Sequence, residues 1–224
     1  MSYNLYQQRK ATAPVHRLFA AAIVLGCVFA ATPAAAQTIK SPTTPDKITP
    51  PQGSSAFLLG RATGTQGYVC LPTSTGASWT VNNARPEATL FTSFFGQDVQ
   101  IITHFLSPNT SPNKFAPTPL PFGNATWQSS LDSSKVWAQT VDFIKAGSDQ
   151  SCPNDGSIAC LLLQVIGLDK GTIGTGILTN TSFIQRLNTK GGSAPAEGCV
   201  VATDVGKQAL VPYTADYWFF RGGI

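Results

Sequence analysis

The sequence predicts a mainly β protein: a single antiparallel sandwich or barrel of about eight to ten strands, with long loops and at most one or two short helices. Two observations carry this. From residue 54 onward, short apolar or alternating runs rich in Val, Ile, Thr and aromatic residues are broken by Gly, Pro, Asn, Asp and Ser, the pattern of half-buried strands joined by turns. Charged residues make up only 12% of the chain, too few to coat the outer faces of surface helices.

The chain opens with a segment of a different kind. Arg9, Lys10 and Arg17 precede a run from Leu18 to Ala30 that is almost wholly apolar, and Ala34-Ala35-Ala36 follows. A basic start, a short apolar stretch and a small-residue site make residues 1–36 a secretory signal peptide, cleaved near Ala36. The apolar run falls short of the roughly 20 residues that span a bilayer. A retained membrane anchor and a lipoprotein acylated at Cys27 are the alternatives. The Val24-Leu25 order and an apolar run that continues past Cys27 count against the lipoprotein.

Removing 36 residues leaves 188, enough for one domain with a real core. It also changes the charge. Three basic residues and no acid leave with the signal, so twelve basic residues then face eleven acidic ones. The precursor's basic balance is therefore no nucleic-acid footprint. The mature protein is placed in the periplasm or the medium.

Residues 37–53, QTIKSPTTPDKITPPQG, hold four prolines. They read as an extended, poorly ordered leader, with the domain running from 54 to 224. Strand-like runs then follow at 67–71, 78–81, 88–95, 99–106, 135–144, 158–168, 182–187 and 211–220. The stretch ACLLLQVIGL fits a helix by periodicity, but the glycines after it favour a strand. Between 107 and 123 lies a long loop with five prolines; loops of that length are functional or mobile.

Four cysteines remain after the signal: Cys70, Cys152, Cys160 and Cys199. An even set in an oxidising compartment points to two disulfides. Cys152 and Cys160 flank the turn-rich Pro153-Asn154-Asp155-Gly156 and are expected to pair. That leaves Cys70 with Cys199, a closure worth roughly 4 to 5 kcal/mol in the chain-entropy model. With no histidine near them, no metal site is expected. Nor does any motif indicate a cofactor.

FIQRLNTKGGSAPAEGC (183–199) and the final VPYTADYWFF resemble the DUF3455 family of exported microbial proteins of unknown function. Gln66 to Cys70, Ser78-Trp79, Pro86-Glu87-Ala88 and Leu90 agree with it. Trp127, followed by Asp132, Ser134 and Lys135-Val136, resembles the family's W-x-x-x-D-G-S-x-V segment, and His104 resembles a histidine just before it. The resemblance covers about residues 55–220 and supports the Cys70–Cys199 pairing. Where the family has Asp-Gly-Ser, this chain has Asp132-Ser133-Ser134. A glycine-proline before the tryptophan is replaced by Asn124-Ala125-Thr126. The family label implies no activity.

Candidate chemistry is sparse. His104 is the one histidine left after the signal and a candidate general base; on its strand it shares a face with Gln100, Ile102 and Leu106. Asp132 is its candidate catalytic partner. Gly191-Gly192-Ser193-Ala194-Pro195 lacks the frame of a nucleophile elbow and reads as a wide turn. The inward acids Asp132, Asp142 and Asp216 show no paired spacing of the glycosidase kind. Arg186 and Asp216, each set among apolar residues, are expected to pair across neighbouring strands. Trp127 follows the proline-rich loop and is expected to be exposed for stacking. The ligand-binding candidates are thus Trp127, Lys135, Arg186 and Asp216, for a small molecule or a carbohydrate. A binding or structural module is favoured over a small hydrolase built on His104.

Overall fold

The computed structural model describes residues 39–81, 87–112, 123–172, 174 and 176–223. The proposed signal segment and Cys27 lie outside them. Nine strands form one antiparallel sheet: β1 (Ser55–Thr73), β2 (Gly76–Val81), β3 (Glu87–Phe94), β4 (Gln97–Ser107), β5 (Asn124–Ser129), β6 (Lys135–Ile144), β7 (Cys160–Asp169), β8 (Phe183–Gly191) and β9 (Gln208–Arg221). Among the described residues the helices are single turns: α1 (Val201–Asp204) and two 3-10 turns, Asp46–Ile48 and Ile177–Asn180.

From β3 to β9 each strand pairs with the next, and β9 returns to β1. One edge of β1 meets β3 through Arg61–Thr65 and β2 through Tyr68–Thr73. Its other edge meets β9 from Ser55 to Val69. The pairing therefore closes on itself, and the strands of the ring present no long free edge to other chains.

Two strands escape the sequence pattern. β1 starts at Ser55, twelve residues before the run read from the sequence. Its glycines look like turn residues, yet they mark close approach to β3. A Cβ on Gly60 would come within 2.8 Å of the Leu90 side chain, and one on Gly64 would strike the Glu87 carbonyl. β5, with the sequence NATWQS, is too polar to read as a core strand. It is nevertheless buried: Thr126 Oγ1 bonds Ser107 Oγ and donates to the Asn124 backbone carbonyl, while Asn124 Oδ1 is buried without a partner.

The inner face holds the main core. Along β9, Tyr213, Ala215, Tyr217 and Phe219 point in, while Thr214, Asp216 and Trp218 are more exposed, the two-residue alternation of a strand with one buried face. Against them pack Ala62, Leu90, Ile102, Trp127, Val136 and Ile184 from the other strands. A bulge at Leu90/Phe91 offsets β4, so that Ile101 and Ile102 are both buried.

A second core lies on the outer face and corrects the expected poorly ordered leader. Ile48 is fully buried there with Ile144, Leu162, Phe183, Leu187 and Phe220. Gln185 Nε2 donates to the Ile48 carbonyl at 2.5 Å, and Ile39 N–H donates to Ala56 O at 3.2 Å. The prolines of this segment favour an extended path, and that path lies along the sheet. Both expected disulfides are formed, Cys70–Cys199 and Cys152–Cys160.

Candidate functional site

The register of β7, β8 and β9 sets Leu161, Arg186 and Tyr217 in a row on the inner face. β4 and β5 set His104 directly opposite Trp127. These two groups meet inside the ring. The His104 and Trp127 rings stack, with centroids 4.2 Å apart and an interplanar angle of 11°. Tyr217 closes on both, at 5.6 and 5.8 Å. Next to them is a cavity of about 320 Å³, lined among the described residues by Gln66, Val81, His104, Leu106, Ala125, Trp127, Thr140, Leu161, Leu163, Arg186 and Tyr217.

His104 is buried, with Nδ1 2.9 Å from the Thr126 carbonyl. A carbonyl only accepts, so Nδ1 carries the proton and Nε2 keeps a lone pair. Burial pushes the imidazole down to about 4; the Thr126 hydrogen bond opposes this, and the Arg186 charge adds to it. His104 is therefore neutral at pH 7. Burial likewise holds the Tyr213 phenol well above its ordinary value and raises that of Tyr68. Tyr213 and Tyr217 share a hydroxyl contact of 3.1 Å, and Tyr68 donates to Gly192 O at 2.7 Å.

Arg186 is half-buried, and its Nε and Nη2 both donate to one acceptor, the Ala159 carbonyl, at 3.2 and 2.9 Å. The expected pair with Asp216 is absent. In the β8–β9 register Arg186 stands opposite Tyr217 and Asp216 opposite Leu187. One residue of offset turns the carboxylate to the other face of the sheet. There Asp216 accepts from Asn188 Nδ2 at 3.3 Å and lines an outer hollow with Arg61 and Asp98. Between described residues the ion pairs are Lys47–Asp142, Lys145–Asp155 and Lys207–Asp204. Arg186 thus has no carboxylate partner among the described residues.

Asp132 is buried in another place. Its Oδ1 accepts from Ser134 N–H at 3.1 Å and Ser134 Oγ at 2.7 Å, and Oδ2 accepts from Ile177 N–H at 2.7 Å. Ser134 Oγ in turn accepts from Leu178 N–H at 3.1 Å. Asp132 so ties the β5–β6 turn to the 3-10 turn at 177–180, and it does not line the cavity of His104. Ser133 between them has φ of 61°, left-handed backbone that suits glycine. That accounts for the glycine of the resembling Asp-Gly-Ser segment.

Trp127 was expected at the surface; it is 1% exposed and lines the cavity from within. Its Nε1 is buried without a hydrogen-bond partner. Lys135 precedes the inward Val136 and stands opposite Asp169 in the register, away from the cavity lining. Gln66 and Tyr217 were not foreseen as site residues. The alternation Tyr213-x-Ala215-x-Tyr217 carried a signal for the tyrosine; Gln66 lay ahead of the run read as strand.

Among the described residues no cluster of three or more His, Cys, Asp or Glu is placed to hold a metal ion, and no helix is long and apolar enough to cross a membrane. A family model described as a protein of unknown function, DUF3455, matches residues 50–221. No curated protein and no solved structure matches the chain.

Proposed function

The chain belongs to the DUF3455 family, whose function is unknown, and from the geometry of its interior we propose that it is a binding module that holds a small molecule inside the closed sheet. The observation that carries this is the cavity of about 320 Å³ where His104, Trp127, Arg186 and Tyr217 converge. Its size falls at the lower end of ligand pockets, about 300–1,000 Å³, and its mostly apolar lining with a few polar groups is their usual make-up. The two disulfides and the signal-like N-terminal segment support a setting outside the cytoplasm.

A hydrolase built on His104 gains no support. A general base of that kind is oriented by a third group, commonly a carboxylate. Here Nδ1 is held by a backbone carbonyl, and Asp132 is engaged elsewhere.

A fragment screen by thermal shift tests the binding reading. A ligand at a hundred times its Kd adds about 2.7 kcal/mol, a rise of about 5–10 °C for a domain of this size. Hits should lose their effect in Ala125→Trp, where the new ring fills the cavity. Silence across the screen, or hits indifferent to that substitution, would overturn it.

A further inference from the structure

Resting on the binding reading above, we propose that the cavity takes a small organic monoanion, a carboxylate on a flat apolar body, with the charged group at Arg186 and the body against Trp127 and Tyr217. Arg186 is the one charged side chain among the described lining residues. A guanidinium has five N–H donors in a rigid fork that matches a carboxylate. Two of its nitrogens donate to the same carbonyl, Ala159 O, which fixes the group's position and leaves Nη1 without a hydrogen-bond partner among the described residues. A half-buried cation with no carboxylate in reach is costly unless something supplies the opposite charge, and no acid among the described residues does so.

The neighbouring groups narrow the class. His104 is neutral at pH 7, so the described lining residues present a single positive charge, that of Arg186. That answers a monoanion and leaves a dianion undercompensated. A carbohydrate offers no charge to Arg186 and would strand hydroxyls against Leu161 and Leu163. Trp127 lines the cavity from within and offers its ring to the flat body. The volume admits roughly ten non-hydrogen atoms, at the ~30 Å³ that one water occupies in the liquid.

Benzoate and its neutral isostere benzamide are suitable probes for the full disulfide-bonded chain, read by thermal shift and titration calorimetry. Benzoate should bind saturably and at least about tenfold more tightly than benzamide, the worth of a charge-assisted hydrogen bond. Arg186→Gln should abolish that preference. Equal affinity for the two probes, or a benzoate preference that survives Arg186→Gln, would overturn the anion assignment while leaving a binding cavity in place. If neither probe binds but an uncharged fragment does, the assignment also fails alone; if nothing binds at all, the binding reading falls with it. The comparison of probes on the unaltered chain stands even where Arg186→Gln does not fold.

Discussion

Two buried polar clusters in this molecule use opposite bookkeeping. At Asp132 both carboxylate oxygens accept, from Ser134 and from Ile177, and a second bond from Leu178 to Ser134 completes the knot. At Arg186 two donors share one carbonyl, no carboxylate among the described residues pairs with it, and the remaining donors stand beside a cavity. A buried polar group whose hydrogen bonds are completed by protein holds a fold together. One with unused donors at a cavity is arranged for a partner from outside. The difference lies in satisfaction: Asp132 in its serine-rich turn has its oxygens filled, whereas Arg186 in an apolar strand keeps donors unused.

The largest effect is expected at the closed knot. Asp132→Ala leaves the Ser134 and Ile177 N–H groups and the Ser134 hydroxyl short of an acceptor, and should cost about 3–5 kcal/mol in urea unfolding. The folded fraction should keep its ligand preference; a cost below about 1 kcal/mol would show the knot to be dispensable.

His104 comes next, through pH. Its folded value of about 4 lies below the ordinary 6.5, so between these the unfolded chain binds the extra proton. Stability from neutral burial is complete above about pH 6.5 and is lost as pH falls toward 4, with no further loss below. The gap is worth about 3 kcal/mol. Unfolding free energies measured from pH 7.5 to 4 should carry this slope, and His104→Gln should remove it. Equal slopes in both proteins would show the imidazole to be accessible to protons in the folded state. Arg186 on β8 faces His104, and the Tyr217 ring on β9 lies against it; both disfavour the protonated form or leave it unaided.

Arg186→Met should differ in sign from Asp132→Ala. Removing a cation that lacks a partner is expected to leave stability unchanged or raise it by about 1 kcal/mol, at the expense of anion preference. A loss above about 2 kcal/mol would reveal a structural role and erase the contrast. The smallest effect is at Ser133, where glycine relieves left-handed backbone. Ser133→Gly should add about 1 kcal/mol, read as a modest rise in Tm.

How far the sequence spoke differs in the same way. Strand alternation was legible for most of the sheet, as in Tyr213 to Phe219, and turn residues placed the Cys152–Cys160 hairpin. The failures came where tertiary contact outweighed local pattern. Residues 55–66, with Gly60 and Gly64 at sites of close approach to β3, and NATWQS lay outside the runs read as strands; Ile48, in the segment read as a leader, enters the outer core. Of the site, His104, Trp127 and Arg186 were each singled out. Their meeting was not visible, because it depends on the register of strands far apart in the chain. The expected Arg186–Asp216 pair missed by a single residue of register, enough to send the two charges to opposite faces.

The indole N–H resonances of the ¹⁵N-labelled chain test the central claim most directly. Trp79 and Trp137 donate to Glu197 O and Ser107 Oγ, whereas Trp127 is buried without an acceptor beside Arg186. Titration with benzoate should move the Trp127 signal saturably, leave those of Trp79 and Trp137 in place, and do neither in Arg186→Met. A Trp127 signal that stays fixed while benzoate binds elsewhere would contradict the account.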